Sequence, residues 1–356
     1  MSELALIWAA SVLLAAAALL WMTALIVARL FRQRSEARRE RDRALIQQAF
    51  LDIMAGSGDA VGRLRGVRRR ARVMAEALLG VVGMVRGAER ERLIDALGAF
   101  GLDRVFQRRL SRGSIAGRIV AAEALSIFPG AEGAAALRRT LGETRSADLR
   151  VSLWRALIDL GAPPPLEAVL ADLRGRDASD SLLYVPLIVS IATLDTSAAL
   201  RTFADPDLPA EARLILADAL GRSGDYRVLE PLFQTARAPD EELRIASVRG
   251  LGSLGHPSAE PAIAAALEDP VWMVRAAACE AAGRIGLGAV IPQLGSQLED
   301  PVWWVRFRAG EALVALGEPG RGRLVRSLAE GGDLARRTAS MVLAERGLMT
   351  EAVGWR

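Results

Sequence analysis

Lysine is absent from this 356-residue chain, so arginine is its generic cation, and an arginine at any one position says less than usual. A single cysteine, Cys279, excludes an internal disulfide framework and a multi-cysteine metal centre. A single histidine, His256, precedes Pro257 and reads as a turn residue, and one histidine builds no metal site alone. Aromatic residues make up 5% of a chain that is 51% hydrophobic. That composition, rich in Ala, Leu, Val and Arg and poor in β-formers, predicts helices. No glycine-rich phosphate loop is present: "GSGDAVGRLRG" follows no predicted strand and lacks the lysine of a P-loop. Neither glycine nor proline occurs before Gly56, so nothing interrupts a helix over that opening stretch.

Leu4 to Ala28 carries no charge over 25 residues, longer than the roughly 20 needed to cross a bilayer. Trp8 and Trp21 stand toward its ends, as interfacial aromatics do. A cleaved signal peptide fits less well, because Glu3 precedes the run, nothing basic does, and the run is too long. Seven arginines and three acids follow between Arg29 and Arg43. Positive charge stays on the cytoplasmic side, so the helix is expected N-terminus out, with Arg29, Arg32, Arg34, Arg38 and Arg39 at the headgroups of anionic lipids. The expected organisation is therefore a transmembrane helix over 1–28, a basic helical stalk over 29–58, and a cytoplasmic body over 59–356. "RLRGVRRRAR" (Arg63–Arg72) adds six more positive charges, whereas residues 73–356 hold 33 Arg against 36 acids. The basic excess lies beside the membrane, and a nucleic-acid-binding body would carry it instead.

The body repeats itself. "DPVWMVRAAACEAAGRIG" (Asp269–Gly286) returns 31 positions later as "DPVWWVRFRAGEALVALG" (Asp300–Gly317). Weaker copies precede them, so that Arg213, Arg244, Arg275 and Arg306 fall one period apart, and Arg336, Arg150, Arg118 and Arg90 open further copies. "DSLLYVPLIVSIATL" (Asp180–Leu194) is a degenerate copy holding Pro186. About nine units result, each long enough for two helices and a turn. "RVMAEALLGVVG" (Arg72–Gly83) precedes Arg90 too closely for a full unit and is expected to be that unit's first helix. In each unit, Asp269 or Asp300 is expected to N-cap the second helix, with Pro270 or Pro301 at its first position and glycine 11 after the Arg closing it. Val271, Val274, Ala278, Ala281 and Ile285 predict a buried stripe, and the small residues at 277 and 278 predict close helix approach. Such a pair cannot bury its own apolar face, so units must stack.

These motifs resemble HEAT repeats of the short bacterial kind related to phycobilisome lyases, over roughly residues 60–350. The resemblance implies an all-α, right-handed α-α superhelical solenoid of about nine helix pairs behind the transmembrane helix. It also implies a ladder of heptad Asp and Arg joining successive repeats, here Asp269, Arg275, Asp300, Arg306, Arg244 and Arg213, incomplete where the acid is lost. The second helix of each pair would line the concave side, where a row of charge of both signs runs through Asp218, Arg249, Glu280 and Glu311. Trp272 and Trp303 share one repeat position and read as packing residues. Trp304 and Phe307 share an otherwise polar face, so Met273, Trp304, Phe307, Arg308, Glu311 and Glu280 are the candidate partner contacts. Cys279 lies at a small-residue position and reads as a packed thiol.

No catalytic constellation and no cofactor site emerges. The expected function is a membrane-anchored, non-catalytic scaffold or adaptor in the bacterial inner membrane, binding a neighbouring membrane protein or its cytosolic domain. A polysaccharide-synthesis or export machine is one candidate complex. A lyase or modifying enzyme is the alternative that the resemblance to bilin lyases implies, and a nucleic-acid binder using Arg63–Arg72 is a third.

Overall fold

The computed structural model describes residues 40–57, 59–67, 71–175 and 178–348, together with positions 8, 19–23, 25–27, 29 and 36. The expected anchor at 4–28 and the arginines at 32, 34, 38 and 39 fall wholly or largely outside the described residues; Arg29 is exposed. Among the described residues there is no strand, and no single helix is long and apolar enough to cross a membrane. The chain divides into two compact units, Met1–Pro163 and Pro164–Arg356.

In the first unit a helix α1 covers residues 40–54, expected as the far end of the stalk. It buries Ile46, Ala49, Phe50, Ile53 and Met54, so this part of the stalk is covered on one side. The chain turns at Gly56, whose φ of 89° suits glycine. After short turns at Ala60–Arg63 and Leu64–Val67 come α2 (Ala71–Val82), α3 (Ala88–Ala99), α4 (Leu102–Ser111), α5 (Ile115–Leu125), α6 (Ala131–Glu143) and α7 (Ala147–Asp159). α5 lies between α2 and α7, while α4 and α6 pair with α5 and α7 respectively.

That order corrects the expectation for the first repeat. The stretch at 72–83 is not the outer helix of the Arg90 unit: it stacks on α5, and α3, which holds Arg90, is an added helix. The physical reason is the width of each apolar face. α2 buries Met74, Ala75, Ala77, Leu78 and Val81, a small-residue face that admits a close neighbour. α3 reads "AERERLIDALGA" and buries only Leu93, Ile94 and Leu97, enough for one edge contact.

The second unit is more regular. It contains α8 (Leu166–Leu173), α9 (Ala178–Leu194), α10 (Thr196–Phe203), α11 (Ala210–Gly221), α12 (Leu229–Thr235), α13 (Glu241–Leu254), α14 (Glu260–Ala266), α15 (Trp272–Ile285), α16 (Ile291–Gln297), α17 (Trp303–Ala315), α18 (Gly317–Glu330) and α19 (Asp333–Glu345). The odd-numbered helices pack in sequence, each on the next, and each even-numbered helix pairs with the odd one after it. The first unit stacks three such helices, α2, α5 and α7, and the second unit six, among the described residues. The degenerate copy survives as one helix, α9, with Pro186 inside it. Glycines 11 residues after the repeat arginine take left-handed conformations at Gly101, Gly161, Gly224, Gly255, Gly286, Gly317 and Gly347. Side chains with a Cβ are strained there, so glycine ends each helix.

The heptads form rungs between repeats. Arg244 donates from Nε to Asp269 at 2.8 Å and from Nη2 at 3.1 Å; Arg275 does the same to Asp300 at 2.7 and 3.2 Å. Each arginine thus reaches the aspartate of the following repeat, 25 residues on. Its Nη1 also binds the turn carbonyls of its own repeat, Asp269 O at 2.8 Å and Pro270 O at 3.1 Å for Arg275. Arg213 and Arg306 were expected in this ladder and do not join it. Ala238 and Gly331 stand where their aspartates would be, and the buried Nε–H of each arginine has no acceptor.

The helix starts also differ from expectation. Asp269 and Asp300 accept from the N–H groups of Val271 at 2.8 Å and Val302 at 2.7 Å, and the helices begin at Trp272 and Trp303. Pro270 and Pro301 therefore belong to the turn that precedes each helix. The carboxylate is shared between its own turn and the incoming guanidinium, which holds it one step ahead of the helix. Of the predicted stripe, Val274, Ala278 and Ala281 are buried while Val271 and Ile285 are half-buried, and Ala277, Cys279 and Ala282 are buried as well. A helix gripped by neighbours on both flanks buries more than one stripe.

Ala277 and Ala278 are buried, and close approach is seen at glycines of the inner helices. A Cβ on Gly221 would collide with the backbone of Gly250, one on Gly252 would lie 2.8 Å from Ala281 Cβ, and one on Gly283 would lie 2.8 Å from Ala312 Cα. Gly221, Gly252 and Gly283 are spaced by the repeat period, eight residues after each arginine. The signal was present in the sequence, hidden beside the more conspicuous closing glycine.

Candidate protein-binding surface

The inner helices of the second unit present the same repeat positions side by side. A groove of about 520 Å³ opens across α9 to α15. Val185, Leu214, Ile215, Ile245, Ala246 and Met273 supply its apolar surface, and Asp218, Arg222, Glu242 and Arg249 its polar lips. Leu214 and Ile245 each follow the repeat arginine, whereas Glu242 and Met273 stand two residues before it. The expected row through Asp218 and Arg249 is thus one lip of a groove whose floor is apolar, and Met273 closes its α15 end.

The next repeat places Trp304 and Phe307 at the positions matching Met273 and the floor residue. Trp303 stacks on Phe307 with centroids 5.2 Å apart and planes at 12°, and Trp304 meets Trp303 edge-on at 4.8 Å and Phe307 at 6.2 Å. The ring of Phe307 is half-buried; Trp303 keeps 44% of its surface exposed and Trp304 50%. Trp272 and Trp303 pack with part of each ring left in solvent, Trp272 being 38% exposed. The helix N-terminus lies at the edge of the stack, where neighbours cannot cover a ring as large as indole.

The charged candidates are occupied with one another. Arg308 donates to Glu311 at 3.0 Å and lies 4.0 Å from Glu280. Glu280 also pairs with Arg284 at 2.5 Å, and Glu311 with Arg346 at 2.9 Å. This chain of pairs ties α15, α17 and α19 together, so Arg308, Glu311 and Glu280 help set the spacing of the helices that carry the aromatic cluster. Sequence reasoning missed Arg284 and Arg346, since neither sits at a position singled out by the repeat.

Cys279 is fully buried, and burial pushes its thiol up to about 12. A neutral, inaccessible thiol is a packing group. His256 Nδ1 accepts from the Ser258 N–H at 3.2 Å, and its ring lies 4.5 Å from that of Tyr226, as a turn residue would. Among the described residues no group of three His, Cys, Asp or Glu side chains is placed to hold a metal ion.

The HEAT repeats family model matches residues 197–271, 229–313 and 259–344. No curated protein matches the chain. Among solved structures, the complex of CpcE and CpcF of phycocyanin lyase from Nostoc sp. PCC7120 is 26% identical, over 50% of this chain and 75% of that one, with a TM-score of 0.36. Kap121p is 13% identical over 87% of this chain, with a TM-score of 0.47, and Kap121p bound to Nup53p is 13% identical over 85%, at 0.45. The chain spans less than half the length of these Kap121p chains, 46% and 45% respectively.

Proposed function

We propose that this protein is a membrane-anchored, non-catalytic HEAT-repeat adaptor, whose body lies in the cytoplasm against the inner membrane and binds a protein partner of that membrane. The observation that carries the reading is the exposed aromatic cluster of Trp303, Trp304 and Phe307, continuous in repeat position with an apolar-floored groove. Solvent-exposed rings held rigid by mutual stacking lose little entropy on binding, which makes them strong contact anchors. Trp304→Ala combined with Phe307→Ala is expected to cut recovery of the partner from solubilised membranes at least about tenfold. Its melting temperature should stay that of the parent, because neither ring belongs to the fully buried core. Unchanged recovery overturns the assignment of the patch.

Anchoring is supported by the uncharged run at 4–28 and by what is described within it. Residues 19–23 are helical, and Leu19, Leu20, Trp21 and Met22 are exposed. The Thr23 hydroxyl donates to the carbonyls of Leu19 at 3.0 Å and Leu20 at 2.8 Å, so its polar group is satisfied within the helix, as a lipid environment requires. The burial of Cys279 permits a direct test. With no accessible native thiol, a Ser2→Cys variant should react with a membrane-impermeant maleimide in intact spheroplasts. A Ser258→Cys variant, exposed on the body, should react only after lysis. The opposite pattern reverses the topology.

A further inference from the structure

We propose that the groove across α11, α13 and α15 is a second docking site, and that its occupant is a partner segment carrying an arginine or lysine beside apolar residues. The proposal rests on the adaptor reading and adds the chemistry of what is bound.

The charge around the groove is unevenly compensated. On one lip Asp218 pairs with Arg222 at 2.6 Å, Arg249 stands exposed without an ion pair among the described residues, and the row continues into the mutually paired Glu280, Arg284 and Arg308. On the other lip stands Glu242, exposed and without an ion pair among the described residues, and Glu211, likewise exposed and unpaired among them, holds the same repeat position one unit earlier. The arginine two positions after each is turned away from them. Arg213 donates to the carbonyls of Asp205 at 2.6 Å and Pro206 at 3.2 Å, and Arg244 is taken by Asp269. This lip is therefore negative, and among the described residues no cation pairs with it, while the unpaired Arg249 stands on the opposite lip.

Between the lips the floor is apolar, with Leu214 and Ile245 at one repeat position and Met273, at the repeat position of Glu242, closing the α15 end. Leu214, Ile245 and Met273 come from three successive inner helices, and packed helices stand about 10 Å apart. A segment in polyproline II conformation rises about 3.1 Å per residue with three residues per turn, so it would set an apolar side chain over each helix at every third residue. Its basic side chain would then meet Glu211 or Glu242 at the edge of an apolar surface, where water is partly excluded and an ion pair strengthens. The same negative lip disfavours an anionic lipid surface as occupant.

The test uses the full chain in its own membranes. A benzoylphenylalanine photoprobe replaces Ala246 in the groove, and in a separate variant replaces Trp304. After illumination the joined peptides are sequenced by mass spectrometry. Expected from the Ala246 probe is a partner peptide with arginine or lysine next to the joined apolar residue. Its yield should fall about tenfold when Glu211→Gln and Glu242→Gln are combined, with the melting temperature unchanged. A joined peptide without a basic residue, a yield indifferent to the two glutamates, or joining to lipid overturns the proposal. If only the Trp304 probe joins a protein, the groove assignment falls and the adaptor reading stands. If neither joins one, both fall.

Discussion

Arg275 and Asp300 show how a surface-type residue pair becomes a structural one. Their side chains are 14% and 5% exposed, and the guanidinium is bidentate on the carboxylate while also holding two turn carbonyls. Asp300→Ala leaves the arginine in place without its counter-charge, and is expected to cost about 3 kcal/mol in urea unfolding. The converse experiment lies one rung away. Arg213 keeps a buried Nε–H without an acceptor because Ala238 occupies the aspartate position. Ala238→Asp should complete that rung and stabilise the chain by about 1 kcal/mol, read as a higher melting temperature. On the Arg244 rung the hydrogen-bonded Asp269 carboxylate holds the guanidinium above its ordinary pKa. A cation with a raised folded pKa loses its contribution only as pH climbs past that value, in strong alkali.

Among helices, the decisive contact is the crossing of inner neighbours over glycine. α11 and α13 meet at Gly221 and Gly250, where a Cβ on Gly250 would lie 2.7 Å from the Ala217 carbonyl oxygen. Backbone cannot retreat as a side-chain tip can, so Gly250→Ala is expected to destabilise by about 3 kcal/mol. Gly142, exposed in α6 with nothing within 4 Å of a new Cβ, provides the contrast. Gly142→Ala should stabilise by about 0.5 kcal/mol, because alanine loses less backbone entropy in a helix. Thermal melts of the two variants should move in opposite directions. At the last crossing the rule changes: Val342 Cγ2 would lie 2.7 Å from a Cβ on Gly310. A valine there fills the space that Ala281 and Ala312 leave at the earlier crossings.

At the largest scale, the inner helices within each unit pack in sequence, each on the next, so stability is passed from pair to pair. Hydrogen exchange of Asp300→Ala should therefore show loss of protection concentrated in α15 and α17, with α5 and α7 in the other unit unchanged. Uniform loss across both units would mean that the chain unfolds as one block. The charge partition acts at this scale as well. Thirteen arginines at 29–43 and 63–72 concentrate positive charge ahead of a body that is mildly acidic. An adaptor tethered to a membrane meets its partner in a thin layer at raised effective concentration.

The repeat, its period, its closing glycines and the packed Cys279 were legible along the chain, because each depends on local rules of helix ending, face periodicity and side-chain size. The candidate surface was legible in part. Trp304 and Phe307 stood out by position, and Met273 proved to close the groove. Three matters were decided only in three dimensions. The heptad aspartate joins the arginine 25 residues before it, a pairing set by the stacking of repeats. The displacement of α3 by α2 in the stack follows from comparing apolar faces against a real neighbour. Whether an acid is free or neutralised depends on what the adjacent helix brings beside it. Glu280 and Glu311 are taken, while Glu242, charged alike in the sequence, is left without an ion pair among the described residues at the lip of an apolar groove.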